Sequence, residues 1–332
     1  MKGPRPALRS QAREGTPDAA TVRVQVPATS ANLGPAFDSA GIALACHDVV
    51  AFDVVASGLA VEVSGAGAGE LPTDESHLVV RAFRAACDEL GWTPSGLRVV
   101  AENGIPQGRG MGSSAAAVVA GVLGAWALCP QVDTVDLDAV LRLTSELEGH
   151  PDNVAPCLLG GATLSWTTDG IARADTIPVH DDVRPVVLVP DATLSTHVAR
   201  SLLPDAVPHA DAAFNAGRAA LLVHALVSEP TLLFEATEDR LHQRQRAAAM
   251  PDSARLLEQL RAAGHAAVVS GAGPSLLVLT RRHPDDPADD PAGAVRVRDV
   301  ADLTPEGWSV LPLGVDVHGS RVHRPGQQVS SR

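Results

Sequence analysis

Apolar and polar positions change period several times along the chain, and the changes outline its elements. Val22, Val24 and Val26 alternate with polar residues until Pro27, which predicts an opening strand that leads into a loop over 28–41. Val49–Ala56 and Val61–Val63 read as strands about a Ser57-Gly58 turn. Leu78, Val79, Ala82, Phe83 and Ala86 share one side of a helix predicted over Ser76–Leu90, and Gly91 is placed to end it. Leu97–Ala101 reads as a strand, runs into a glycine-dense stretch over 103–114, and hands over to an alanine-rich helix. A helix over Asp136–Glu148 stops at Gly149, and a strand over Ala162–Trp166 follows Gly160-Gly161.

Near Arg184 the pattern restarts. It predicts a strand over Pro185–Val189, a short helix after Ser195-Thr196, two helices between Asp211 and Met250, and a helix over Ser253–Ala263. Strands over His265–Ser270 and Leu276–Leu279 follow, joined by Gly271–Ser275, then a proline and aspartate loop over Arg281–Gly293 and a last strand over Trp308–Val317. Two mixed domains are therefore expected, over 21–180 and 181–320. They lie between a basic, proline-rich arm over 1–20, expected to be disordered, and a polar tail over 321–332.

Charge and composition narrow the chemistry. A formal net charge of −13 argues against nucleic acid or an anionic membrane as partner. Lys2 is the only lysine among the 26 basic residues, so Walker-type phosphate loops, the protein-kinase strand lysine and pyridoxal chemistry are excluded. Cys46, Cys87, Cys129 and Cys157 fit no zinc or redox spacing and suit a reducing cytoplasm. The longest apolar stretch, Ala115–Cys129, would reach only about 22 Å as a helix, which suits a core element and not a membrane span. The arm contains no apolar run of signal-peptide type.

A strand, a glycine loop and a helix in succession let backbone N–H groups and the helix start hold an anion without lysine. Taken alone, Gly108, Gly110 and Gly112 fit a tight turn better than an anion site, and Ser113-Ser114 could equally cap the helix or reach a metal bound to phosphates. A dinucleotide fingerprint fits less well, because Ser113 stands where a third glycine is expected.

Other segments decide among these. Pro106, Gln107, Gly108, Arg109, Gly110, Met111, Gly112, Ser113, Ser114, Ala115 and Ala116 form a run that closely resembles the phosphate-binding motif of the GHMP kinase superfamily. Val26–Ser39 (VPATSANLGPAFDS) resembles the N-terminal signature of that superfamily's homoserine-kinase branch, Glu148–Pro156 (EGHPDNVAP) its central motif, and Ser270–Ser275 (SGAGPS) the C-terminal glycine motif. The segments occur in family order and cover about Val22 to Leu279. Ala36 departs from a usual glycine and Ala40 from a frequent leucine.

The resemblance implies an α+β, two-domain GHMP kinase fold, with a first domain like ribosomal protein S5 domain 2, a ferredoxin-like second domain and ATP between them. It implies ATP and Mg²⁺ as cofactors, L-homoserine as acceptor in threonine biosynthesis, and a homodimer as the family expectation. The glycine loop would hold ATP, with Gly271, Ala272 and Gly273 beside it, and Ser114 and Glu148 would hold the metal. Glu146 is the substitute if the helix register differs. Asn32, Asp38, His150, Asn153, Thr196, Arg200 and Arg240 would contact the substrate, with Asn32, Asp38 and Asn153 also catalytic. Arg200 and Arg240 would take the carboxylate, since a planar guanidinium matches it bidentately. Which of Asn32 and Asp38 meets the hydroxyl or the ammonium stays open. With no lysine to serve as a base, the hydroxyl proton is expected to pass to a γ-phosphate oxygen. A kinase for another small alcohol, or a non-catalytic ligand-binding member, are the alternative readings.

Overall fold

The computed structural model describes residues 8–9, 21–282 and 294–324. Most of the N-terminal arm, the 283–293 part of the acidic loop and the last residues of the tail lie outside them.

Two sheets organise the molecule. The first has seven strands, in the order 321–323, 22–31, 40–54, 96–103 and 58–65, with the hairpin of 162–168 and 171–177 added along the start of 40–54. Strand 58–65 runs parallel to 96–103, and helix Leu78–Leu90 makes the crossover between them. The glycine-loop helix, Ser113–Leu128, packs on that helix and on the sheet and is buried nearly all round. This is why it lacks a polar face. Among the described residues no helix is long and apolar enough to cross a membrane.

The second sheet is fully antiparallel, in the order 267–269, 276–281, 183–190 and 308–312. Its alternating side chains serve two cores. Val186, Leu188, Val269, Leu276 and Val278 meet Leu256 and Leu260 of helix Pro251–Ala262 and Val300 of helix Ala294–Leu303. Val187, Val189, Leu277 and Leu279 face the other way, toward Leu222 and Leu226 of helix His209–Val227, in a core continuous with that of the first sheet. The two domains are thus fused through shared packing.

Several elements differ from the sequence expectation. The first strand continues past Pro27 through a bulge, with Ala28–Ala31 pairing again to Leu44–Gly41. Its small residues read as loop, yet small size is what lets this strand lie buried against the glycine loop, with Thr29 N donating to Met111 O at 3.0 Å. Between Asp211 and Met250 the chain forms one long helix, His209–Val227, followed by short helical turns over 230–236 and 243–249, not two comparable helices. The last strand of the second sheet stops at Pro312, and the chain then returns to the first domain. Val315 bridges Leu44, and Arg321–His323 pairs with Arg23–Gln25. The expected polar tail therefore starts with a strand of the first sheet. Leu8–Arg9, within the arm, likewise pairs with Thr134–Val135.

Candidate active site

Strand Gly96–Asn103 ends at the glycine loop, and Gly112 starts helix Ser113–Leu128. Gly110 and Gly112 are in the left-handed region (φ 69° and 70°), which glycine alone enters without strain. Space forbids a side chain as firmly. A Cβ on Gly112 would lie 1.9 Å from Thr29 Oγ1, and one on Gly110 would lie 2.2 Å from the carbonyl oxygen of Ser270. The second domain clamps the loop as well. Ser270 Oγ donates to Gly110 O (2.6 Å), Leu194 N donates to Gly108 O (3.0 Å), and Arg109 donates to the carbonyls of Pro190 and Asp191. Arg109 is thus committed to holding the loop, and Ala115 and Ala116 are buried in the core. Of the residues expected to hold nucleotide, the backbone from Gly108 to Gly112 and the two serines are what the cavity meets.

Neither serine caps the helix through its side chain at Gly112. Ser114 Oγ instead donates to Glu148 Oε2 at 2.7 Å. Burial pushes the Glu148 carboxyl up, opposed by the Ser114 hydrogen bond and by His150. Glu146 points elsewhere and pairs with Arg142 (3.0 Å). One partly buried carboxylate and one hydroxyl beside a glycine loop are a partial ligand set that would suit Mg²⁺, which takes few protein ligands and completes its shell with phosphate oxygens and water.

The cavity beside this pair is lined by residues far apart in sequence: Asn32, His150, Asp152, Asn153, Thr196, Arg200, Arg246, Gly271 and Ala272. Three devices hold it. Asn32, left-handed at φ 72°, donates from Nδ2 to Gly271 O (2.8 Å) and accepts from Asp38 N (2.9 Å), so its amide ties the 32–38 loop to the second domain. Thr29 Oγ1 donates to Asn153 Oδ1 (2.8 Å), which leaves the amide nitrogen of Asn153 as a donor. His150 Nδ1 lies 2.6 Å from Asp152 Oδ1. Burial lowers the affinity of His150 for a proton, but Asp152 and Glu148 outweigh it, so the net direction is up. Asp38 does not line the cavity; both its oxygens accept from Arg200, which does (2.8 and 3.0 Å).

The strongest correction concerns the second arginine. Arg240 lies outside this cavity, its guanidinium 3.7 Å from the Phe214 ring centroid and paired with Asp211 at 3.2 Å. Arg246 lines the cavity instead. It is 1% exposed and donates from Nη1 to Gly271 O at 3.1 Å.

Comparison with known proteins decides the kinship. The GHMP kinases N terminal domain model matches residues 77–161 and the GHMP kinases C terminal model residues 220–299. The chain is 52% identical over 305 residues to a homoserine kinase of Streptomyces avermitilis, covering 92% of this chain and 96% of the relative. It is also 52% identical over 303 residues to one of Clavibacter michiganensis, covering 91% and 93%. The chain belongs to the homoserine kinase family. The crystal structure of homoserine kinase from Cytophaga hutchinsonii superposes with a TM-score of 0.78 at 26% identity, covering 95% of this chain and all of that one. Leishmania major mevalonate kinase shares the fold (TM-score 0.61, 15% identity, 93% and 98% covered).

Within this GHMP kinase fold, sequence reasoning missed a second cavity of about 310 Å³ that opens beside the same loop. Val50, Leu71, Pro72, Val79 and Ala117 give it an apolar lining, and Gln107, Gly108, Ser113 and Ser114 connect it to the phosphate site. His77 lines it, with neither ring nitrogen hydrogen-bonded among the described residues, and burial pushes its pKa down. No local motif could have announced this cavity, because it forms where helix Leu78–Leu90 crosses the start of helix Ser113–Leu128.

Proposed function

We propose that this chain transfers the γ-phosphoryl group of ATP to the hydroxyl of L-homoserine, giving O-phospho-L-homoserine and ADP, in cytoplasmic threonine biosynthesis. The observation that carries the reading is one cavity walled on one side by the glycine loop and on the other by Arg200, Arg246 and Asn32. A phosphate donor and a small zwitterion can meet there. The apolar cavity next to Gly108 suits a purine, with the triphosphate laid along the loop's N–H groups.

Arg246 and Arg200 offer guanidinium forks for the carboxylate, and Asp38, which Arg200 holds, offers a carboxylate for the ammonium. Asn32 and Asn153 bracket the space for the hydroxyl and can donate to it or to the γ-phosphate. Ser114 and Glu148 would hold Mg²⁺, which supplies charge neutralisation at the phosphates when bound. Phosphoryl transfer depends on alignment and charge more than on a strong base. Neither asparagine is basic, which supports passage of the hydroxyl proton to a γ-phosphate oxygen as the O–P bond forms and the bond to ADP breaks.

The test is ADP release on addition of L-homoserine, with ³¹P detection of the phosphomonoester. Turnover with another small alcohol and none with homoserine would replace this substrate; no turnover with any would sink the reading. A homodimer, the expectation carried by the family, is tested by light scattering of the purified chain.

A further inference from the structure

His242 is fully buried between the second domain and the 32–38 loop, does not itself line the cavity, and has no role in the reaction described above. Its two ring nitrogens have unequal partners. Nε2 lies 2.9 Å from the carbonyl oxygen of Gly34, which only accepts, so Nε2 carries the proton. Nδ1 is then left as an acceptor, and Nη1 of Arg246 stands 3.2 Å from it. Gly271 O takes the same Nη1 at 3.1 Å. The other edge of that guanidinium is unused: Nε is buried with no hydrogen-bond partner among the described residues, and Nη2 makes no hydrogen bond there either. The Nε–Nη2 edge is one of the two that can receive a carboxylate bidentately.

The support under His242 is equally specific. Asp239 accepts from the backbone N–H of Leu241, His242 and Gln243, and Asn215 Nδ2 donates both to Asp239 and to the carbonyl of Pro35. Phe37 stacks on the imidazole with centroids 5.0 Å apart, and its ring lies 5.3 Å from the Arg246 guanidinium carbon and 5.8 Å from that of Arg200.

We propose that His242 is a positioning residue for substrate binding: by accepting from Nη1 it turns Arg246 so that the Nε–Nη2 edge is presented to the acceptor's carboxylate. This rests on Arg246 being a carboxylate ligand, as argued above. Burial, above all, and the neighbouring Arg246 disfavour a second proton on the ring, while Asp239 and Asp38 favour it; the net direction is down, which keeps Nδ1 free to accept.

The experiment compares KM for homoserine, KM for ATP and kcat in the wild type, His242→Leu and His242→Gln, whose amide can both donate and accept. His242→Leu is expected to raise KM for homoserine at least tenfold with KM for ATP within twofold, and His242→Gln to recover most of the loss. In an Arg246→Ala background His242→Leu should have little further effect, whereas a purely structural role would add to it. If the leucine variant does not fold, His242→Asn, too short to span both partners, replaces it. Unchanged KM for homoserine, equal losses in both KM values, or additive losses in the double variant overturn the proposal alone. Absence of homoserine turnover in the wild type overturns the reading of the reaction, and this proposal with it.

Discussion

Arg200 grips Asp38 through both terminal nitrogens, at 2.8 and 3.0 Å, across 162 positions of sequence. Without substrate, this cation and this anion satisfy each other. Both side chains are more than a third exposed, so the pair adds little to stability. Its consequence is for binding: a zwitterion offers each partner a replacement and can insert between them. Arg200→Ala is expected to raise KM for homoserine by about 10- to 100-fold, the worth of one charge-assisted hydrogen-bond pair, with KM for ATP within twofold and the thermal midpoint nearly unchanged. Initial-rate kinetics with each substrate varied in turn checks this; a loss confined to ATP would misplace Arg200.

The two candidate partners of Arg200 separate cleanly. Arg246→Ala should cost 100-fold or more in kcat/KM for homoserine, because it removes a buried cation from the cavity wall. Arg240→Ala, on an exposed guanidinium over Phe214, should leave both KM values within about twofold. Equal effects of the two substitutions would show that the carboxylate sits elsewhere.

Glu148→Gln keeps the hydrogen bond from Ser114 within reach but removes the charge. Turnover should fall by about 10²-fold or more, and saturation should need more Mg²⁺, while KM for homoserine changes little. A Mg²⁺ titration at fixed ATP reads this out. Glu146→Gln, which touches only the exposed Arg142 pair, should be close to wild type.

Asp48 gives a pH signature that is read in stability. It is 4% exposed and accepts from Ile105 N at 2.9 Å, yet burial dominates and pushes its pKa up from 3.8 to about 6. A raised folded pKa means that the contribution to stability is complete below about pH 4, is lost as pH rises through about 6, and is constant above. Asp48→Asn does not titrate, so it should gain on the wild type between pH 4 and pH 7 by on the order of 2 kcal/mol. Urea unfolding at both pH values measures the difference, and a pH-independent difference would count against it.

How far the sequence reached differed by element. The glycine loop, its strand and its helix were legible because each depends on local periodicity and on glycine chemistry. The Ala28–Ala31 extension was not, since small residues favour turns in isolation and become strand only when a bulge and a buried partner surface are supplied. Ser114 and Glu148 were legible as a pair from motif context, but the choice of Glu148 over Glu146 needed the helix register and the Arg142 contact. Arg240 and Arg246 could not be told apart by residue type among 26 basic residues that are nearly all arginine.

By itself the sequence determined two mixed domains, a glycine loop leading into a helix in a chain with no internal lysine, and the family to which those motifs point. These follow from short-range pattern and residue chemistry. Only the tertiary structure decided that Arg246 and not Arg240 faces the cavity, that Asp38 is held by Arg200, and that the chain's end returns as a strand beside its beginning. Each of these is a contact between residues distant in sequence, set by how sheets and helices pack, and no local pattern encodes which of many like side chains that packing turns inward.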